Sequence, residues 1–297
     1  MPKTSSKFSY VAGLGDIAFE YDALIVDIWG IVHNGVEPFE TACEALRRYR
    51  MEYGPVVLVS NAPRPSSSVI EQLDNLGVTS EIYDAIVTSG DVTSSLLEQR
   101  QIRNIYHLGP ERDLPLLEML DVHLCDIDEA EAVLCTGLVD DTTEAPEDYG
   151  DMFSEFEDND LTMICANPDL VVERGDQLVY CAGALAEAYE GLDGDVIYAG
   201  KPHKEIYDLT LLAIEEYAGR EISKSSILAI GDGLRTDIRG ALNAQIPCMF
   251  VAGGIHGHEL IGEDGALIRE KFVGVVEGIL GPEQFPQFTL TSDRLVW

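Results

Sequence analysis

Three apolar, β-branched-rich runs in this chain end abruptly on polar or charged residues. Ala23-Leu24-Ile25-Val26 leads into Asp27, and Val56-Val57-Leu58-Val59 leads into Ser60-Asn61. Ile227-Leu228-Ala229-Ile230 leads into Gly231-Asp232-Gly233, with Asp237 a few residues further on. A fourth run, Val196-Ile197-Tyr198, precedes Gly200-Lys201-Pro202. Strands buried on both faces read as unbroken apolar runs, and a parallel sheet delivers its functional groups at the carboxyl ends of its strands. The pattern therefore predicts an α/β fold built on a doubly wound parallel sheet. All four segments are expected to meet at one end of that sheet.

At 297 residues the chain is long for one domain. Strand–helix alternation runs through a strand at Tyr21 to Trp29, a helix at Glu40 to Glu52, a strand at Val56 to Val59 and a helix opened by Pro63 to Pro65. The apolar positions of that last helix are Val69, Ile70, Leu73 and Leu76, and Gly77 closes it. The texture then changes. Strands are expected at Asn104 to Leu108, Ala132 to Thr136 and Leu161 to Ala166, with an amphipathic helix near Pro115 to Leu120. Asp140 to Glu157 is an acidic stretch that caps a helix or forms a solvated face. Alternation resumes with a strand at Val196 to Tyr198, a helix at Glu205 to Tyr217, a strand at Ile227 to Ile230, a helix at Thr236 to Asn243 and a strand at Cys248 to Val251. The expected division is a core of residues 1–85 and 196–297 with an inserted α/β domain at 86–195.

Composition narrows the partners. Hydrophobic content of 46% suits a globular protein, and no stretch approaches the roughly 18 apolar residues of a bilayer span. The N-terminus lacks the apolar core of a signal peptide, so a cytoplasmic location is expected. The six cysteines show no metal-ligand spacing and read as buried thiols. With 19 basic and 53 acidic residues, a net charge of −34 argues against nucleic acid and anionic membranes as partners. An anionic ligand would then need local positive charge from lysine, a metal ion or helix N-termini.

The segment ends supply such chemistry. Asp27 offers a carboxylate nucleophile that also suits Mg²⁺, or else a strand-end N-cap. Ser60-Asn61 offers hydroxyl, amide and backbone N–H donors to phosphate oxygens, or a common turn pair. Lys201 offers a cation for phosphoryl transfer, or a surface lysine. Asp232 offers a metal ligand. Asp237 would hold a metal-bound water or orient Lys201, or be a first-turn carboxylate favoured by the helix dipole. Two weaker patterns stand apart. Gly13-Leu14-Gly15 follows no clear strand, and His256-Gly257-His258 with Glu259 lies in a glycine-rich turn.

In this order, with a block inserted between the second and third, the segments resemble the haloacid dehalogenase superfamily. The resemblance is to its class IIA branch of sugar-phosphatase-like and p-nitrophenyl-phosphatase-like hydrolases, and it covers about Tyr21 to Val251. Cys165-Ala166-Asn167-Pro168-Asp169 and Cys181-Ala182-Gly183-Ala184-Leu185 resemble segments of the large α/β cap (type C2) of that branch. The resemblance implies Asp27 as nucleophile and Mg²⁺ as cofactor, held by Asp27, the Trp29 carbonyl and Asp232 with help from Asp237. It places Ser60 and Lys201 on the phosphoryl group, and Asn61, Asn167 and Asp169 toward the substrate. It implies hydrolysis of a small, sugar-phosphate-like phosphorylated metabolite through an aspartyl-phosphate. A homodimer through an exposed cap face is one arrangement it leaves open.

Position 29 departs from the pattern. The phosphatases carry there an aspartate that protonates the leaving alcohol and then activates water. Indole has an N–H that only donates. General acid–base help is typically worth about 10²–10⁴-fold. His33 is the nearby replacement acid to consider, with a structural loop histidine as its alternative. Two other functions therefore stay open: a catalytically weak relative that binds a phosphometabolite as a sensor or interaction module, and a carbon–halogen or carbon–phosphorus hydrolase. The intact Asp232 and Asp237 favour a phosphorylated ligand over a haloacid.

Overall fold

The computed structural model describes residues 8–117, 120–174, 177–284, 288 and 290–297. In chain order the strands are β1 (Ser9–Tyr10), β2 (Ala23–Asp27), β3 (Val56–Ser60), β4 (Ala85–Thr88), β5 (Asn104–Leu108), β6 (His123–Leu124) and β7 (Ala132–Cys135). They continue with β8 (Met163–Cys165), β9 (Val171–Arg174), β10 (Gln177–Tyr180), β11 (Val196–Tyr198), β12 (Ile227–Gly231), β13 (Cys248–Val251) and β14 (Leu290–Ser292). The chain divides into two compact units. The first comprises Met1–Ser60, Val69–Val87 and Tyr207–Trp297; the second comprises Asn61–Ser68 and Thr88–Ile206.

A seven-stranded sheet carries the first unit, in the order β1-β14-β13-β12-β2-β3-β4. Its pairings from β1 through to β3 are all parallel. Every residue of β2, β12 and β13 is buried, which is why these strands appear in sequence as continuous apolar runs. The chain leaves β2 toward β3 on one side and returns through β12 on the other. The carboxyl ends of β2 and β12 therefore flank the point where strand order reverses, the usual ligand crevice of an open α/β sheet.

The second unit holds a five-stranded sheet, β11-β8-β7-β5-β6, with parallel pairings throughout, and an antiparallel β9–β10 hairpin. Alternate residues of its central strands feed two cores. Val133, Cys135, Met163 and Cys165 pack with Tyr149, Phe153, Phe156 and Tyr189. Ala132, Leu134 and Ile164 pack with Leu97, Ile105 and Leu117. A period of two with both faces covered is what a buried strand requires. Phe156 meets Tyr189 edge to face at 5.9 Å, and the Tyr189 hydroxyl donates to the Leu161 carbonyl at 2.8 Å.

Several local expectations are corrected. Val196–Tyr198 does not resume the core sheet; it pairs with Met163–Cys165 in the second unit. At the other end, the core strand β4 runs on to Thr88, past the expected boundary at residue 85. Ile70 is exposed rather than part of the apolar face of its helix (Ser66–Asn75). The helix expected from Thr236 begins instead as a π-turn at Leu234–Ile238 and becomes α-helical only at Arg239–Asn243. Gly13-Leu14-Gly15 does follow a strand, but it is the two-residue β1. The turn packs against the chain end, where the Leu14 N–H donates to the Val296 carbonyl at 2.7 Å. Of the helix near Pro115 to Leu120, Leu114–Leu117 is described, while residues 118–119 lie outside the described residues.

All six cysteines are thiols rather than disulfides, four of them buried, and burial pushes Cys135 and Cys248 up to about 12. No helix among the described residues is long and apolar enough to cross a membrane.

Phe156 is fully buried, and its ring meets those of Tyr106, Phe153 and Tyr189. Phe156→Ala should cost about 3–5 kcal/mol of unfolding free energy in urea titration, through lost contacts and a residual cavity. Acid should destabilise the second unit as well. His107, whose Nε2 lies 2.9 Å from Thr136 Oγ1, has its pKa lowered by burial. The unfolded chain then binds the proton more readily. The stability this histidine contributes is complete above about pH 6.5 and is lost as pH falls through that value. His107→Gln should shrink the stability loss measured between about pH 7 and 5.

Candidate active site

The reversal point of the core sheet gathers three acids. Asp27 ends β2, Asp232 directly follows β12, and Asp237 lies in the π-turn beyond it. All three are buried, with relative exposures of 8%, 5% and 7%. Each offers one carboxylate oxygen, and these oxygens lie within 4.8 Å of one another. Ser60 ends β3, the strand paired with β2 on the side away from β12.

The loops around the acids hold them in place. An Asp232 oxygen accepts the Ile255 N–H at 2.7 Å, and an Asp237 oxygen accepts the Gly233 N–H at 2.9 Å. The Tyr207 hydroxyl donates to the Asp237 carbonyl at 3.1 Å. Gly30 has φ of 85°, and a Cβ on it or on Gly254 would overlap the Asp232 carboxylate. Both glycines let main chain close around that carboxylate. Three oxygen donors, clustered and shielded from water, repel one another strongly. They match the hard-ligand set of a small divalent cation.

Trp29, two residues beyond Asp27, is 53% exposed. It forms an isolated bridge with His33, and the two rings meet edge to face at 5.2 Å. His33 is not a ready acid. It is buried, its Nδ1 accepts the Gly35 N–H at 2.9 Å, and burial lowers its pKa, so the ring is held neutral. His256 is the residue before the short helix Gly257–Leu260, and burial lowers its pKa too.

The remaining sequence candidates assemble within the second unit. Asn61 binds the Lys201 main chain on both sides: its Oδ1 accepts the Lys201 N–H at 2.8 Å, and its Nδ2 donates to the Lys201 carbonyl at 3.1 Å. The same Nδ2 donates to Asp169 Oδ1 at 3.0 Å. Both amide hydrogens are therefore engaged within the protein. Asn167 Oδ1 accepts the Asp169 N–H at 3.1 Å, closing an Asx turn through Pro168. Lys201 is 4% exposed and precedes a cis proline. The sequence reading placed the Asn61 amide on phosphate; the structure shows it clamping Lys201. Nothing local in the sequence signalled this, because Asn61 and its partners lie 108 and 140 residues apart.

A family model described as haloacid dehalogenase-like hydrolase matches residues 24–123, and one described as HAD-hydrolase-like matches residues 198–275. A haloacid dehalogenase-like hydrolase from Brucella suis is 45% identical, with a TM-score of 0.77 over 83% of this chain and 94% of that one. The 5'-nucleotidase YutF of Bacillus subtilis is 22% identical over 82% of this chain and 92% of its own length. The D-glycerol 3-phosphate phosphatase of Mycobacterium tuberculosis is 28% identical over 81% of this chain but only 65% of its own length. With its parallel core sheet, inserted α/β unit and clustered acids, the chain belongs to the haloacid dehalogenase-like hydrolases.

Proposed function

We propose that this protein is a Mg²⁺-dependent phosphatase that hydrolyses a small phosphomonoester through an aspartyl-phosphate on Asp27. The observation that carries the reading is the buried trio of Asp27, Asp232 and Asp237. Relatives named as a nucleotidase and a phosphatase support the substrate chemistry. Asp27, Asp232 and the Trp29 carbonyl would hold the ion, with Asp237 assisting. Bound there, it would neutralise charge on the carboxylates and on the phosphoryl oxygens.

The chain's own groups carry the chemistry. The Asp27 carboxylate attacks phosphorus, and the leaving oxygen departs with the electrons of the broken bond. Water then cleaves the aspartyl-phosphate, returning the carboxylate and releasing phosphate. Ser60 and Lys201 are assigned to phosphoryl oxygens by the order of their motifs along the chain. Asn61 and Asp169 are assigned to fixing the Lys201 main chain, with Asn167 shaping the turn that presents Asp169. The inserted unit is assigned a share in substrate choice, as in the branch it resembles.

Trp29 favours one competing reading, a relative that binds a phosphometabolite and turns it over little. Neither the indole nor the neutral His33 supplies a proton to the leaving group. The two readings part in kinetics.

Under the phosphatase reading, nitrophenyl phosphate with Mg²⁺ should release a rapid burst of about one equivalent of nitrophenol per site. A slower steady state should follow, because nothing at position 29 activates water. Trp29→Asp should remove the burst and raise turnover of sugar phosphates about tenfold or more relative to nitrophenyl phosphate. Complete absence of turnover, together with a phosphate-ester-induced rise in melting temperature, would favour the binding module.

The metal site is tested separately. A hundredfold excess of Mg²⁺ over its Kd should raise the melting temperature by about 5 °C. Asp232→Ala should abolish both that rise and any metal-dependent hydrolysis.

A further inference from the structure

We infer that Trp29 is a stacking residue that selects phosphomonoesters of a phenol, an inference that rests on the phosphatase reading above. The indole is 53% exposed, although it stands two residues beyond a strand in which every residue is buried. A single exposed apolar side chain is ordinary. This one has a scaffold. The loop beyond it folds back so that His33 bridges to Trp29 on one side and to Pro38 on the other. His33, 2% exposed, sets its ring against the indole at 78°. Its Nδ1 is fixed by the Gly35 N–H. Gly35 has φ of 88°, and a Cβ there would run into Cη2 of the indole. A buried neutral histidine and a left-handed glycine thus hold the ring in one orientation while about half of its surface stays open. A rigid, oriented aromatic face is suited to a planar ligand.

The chemistry of the position narrows the ligand. Indole cannot protonate a leaving oxygen. An aliphatic alcohol leaves as an alkoxide of basicity close to hydroxide, whose conjugate acid has a pKa of about 15.7. A phenol, like the tyrosine side chain, has a pKa of about 10 and leaves without a proton donor. Its ring also has the shape to stack. An acyl phosphate meets only the first condition, and a nucleoside monophosphate meets only the second. The lost acid and the gained aromatic surface therefore converge on an aryl phosphomonoester. In the reaction an Asp27 oxygen bonds to phosphorus, and the phosphorus–aryl oxygen bond breaks with its electron pair passing to the phenolate. The phenolate takes its proton from solvent. Water then attacks phosphorus, its proton passes to solvent, and the Asp27 carboxylate and phosphate are released.

The test compares kcat/KM for phenyl phosphate, acetyl phosphate and adenosine 5'-monophosphate in the wild type, Trp29→Leu and Trp29→Phe, with Mg²⁺ present. Trp29→Leu should lower the phenyl-to-acetyl ratio about tenfold, mainly through KM, while Trp29→Phe should keep it within about threefold. Binding gives a second readout. The chain has two tryptophans, so in a Trp297→Phe background the fluorescence reports Trp29 alone. Phenylphosphonate, which is not hydrolysed, should quench it saturably, whereas ethylphosphonate should not. An unchanged ratio, equal losses in the Leu and Phe variants, a wild-type preference for the nucleotide, or absence of quenching would each overturn the inference. If no phosphomonoester is hydrolysed, the phosphatase reading fails on its own; saturable quenching would still support stacking, and its absence would refute it.

Discussion

Electrostatic repulsion among three buried carboxylates is the constraint around which the core is arranged. Two unit charges about 4 Å apart repel by about 4 kcal/mol at an effective dielectric of about 20. Asp27, Asp232 and Asp237 have ligand oxygens within 4.8 Å of one another at exposures below 9%. Such a group persists only against a countercharge, a proton or converging N–H donors. The fold supplies the donors directly, from Ile255 to Asp232 and from Gly233 to Asp237. It also supplies the geometry. Strand order reverses between β2 and β12, so two of the acids emerge side by side at adjacent strand ends. In a chain carrying −34, drawing three of its carboxylates to one buried point matches a site for a cation.

That arrangement was legible because it rests on strands buried on both faces. Ala23–Asp27, Val56–Ser60, Ile227–Gly231 and Cys248–Val251 each stand out as an apolar run closed by turn or polar residues. The helix Glu40–Glu52 matched its expected bounds, since Ala45, Leu46 and Tyr49 recur at helical spacing and Gly54-Pro55 ends it. Legibility failed where pairing is long-range and the elements are short. The two-residue β1 finds its partner more than 270 positions away in β14. Val196–Tyr198 is as apolar as a core strand, but three residues carry no information about which sheet they join. The π-turn at Leu234–Ile238 has the composition of a helix start. Its extra residue per turn follows from Asp237 folding back onto the Gly233 N–H, which periodicity does not register.

The candidate site shows the same division between residue type and residue role. The sequence identified Asn61, Asp169 and Lys201 as members of one constellation, and the structure brings them together in the second unit. It assigns the asparagine differently. An amide that accepts from the Lys201 N–H while donating to the Lys201 carbonyl completes a two-point main-chain contact, as a neighbouring strand would. The lysine adjoins a cis proline and has no regular secondary structure to fix it. Main-chain restraint matters most for a side chain whose flexible four-carbon stem carries its charge far from the backbone. Asp169 then links this clamp to the Asn-Pro-Asp turn of the insert, so the segment that most resembles a cap motif bears on the orientation of the lysine.

Under the proposed use of the Trp29 carbonyl as a metal ligand, metal ligation and proton transfer are separable. A ligand taken from the main chain survives any change of side chain, so replacing an acid with indole can alter acid–base chemistry while leaving the cation's donors in place. The surroundings argue that the indole has a role of its own. A carboxylate at this position would have no use for a buried neutral histidine against its edge, nor for a glycine at φ 88° lying under its far end. Burying an imidazole costs free energy, and a backbone at φ 88° with the indole beneath it restricts position 35 to glycine. Here both serve to orient one exposed ring. Chemistry lost to the missing acid falls most heavily on basic leaving groups and least on phenolates, and an oriented indole adds affinity for the same planar class. On the proposed mechanism, an indole at position 29 thus disfavours one substrate class and favours another, with the proposed nucleophile and metal ligands untouched.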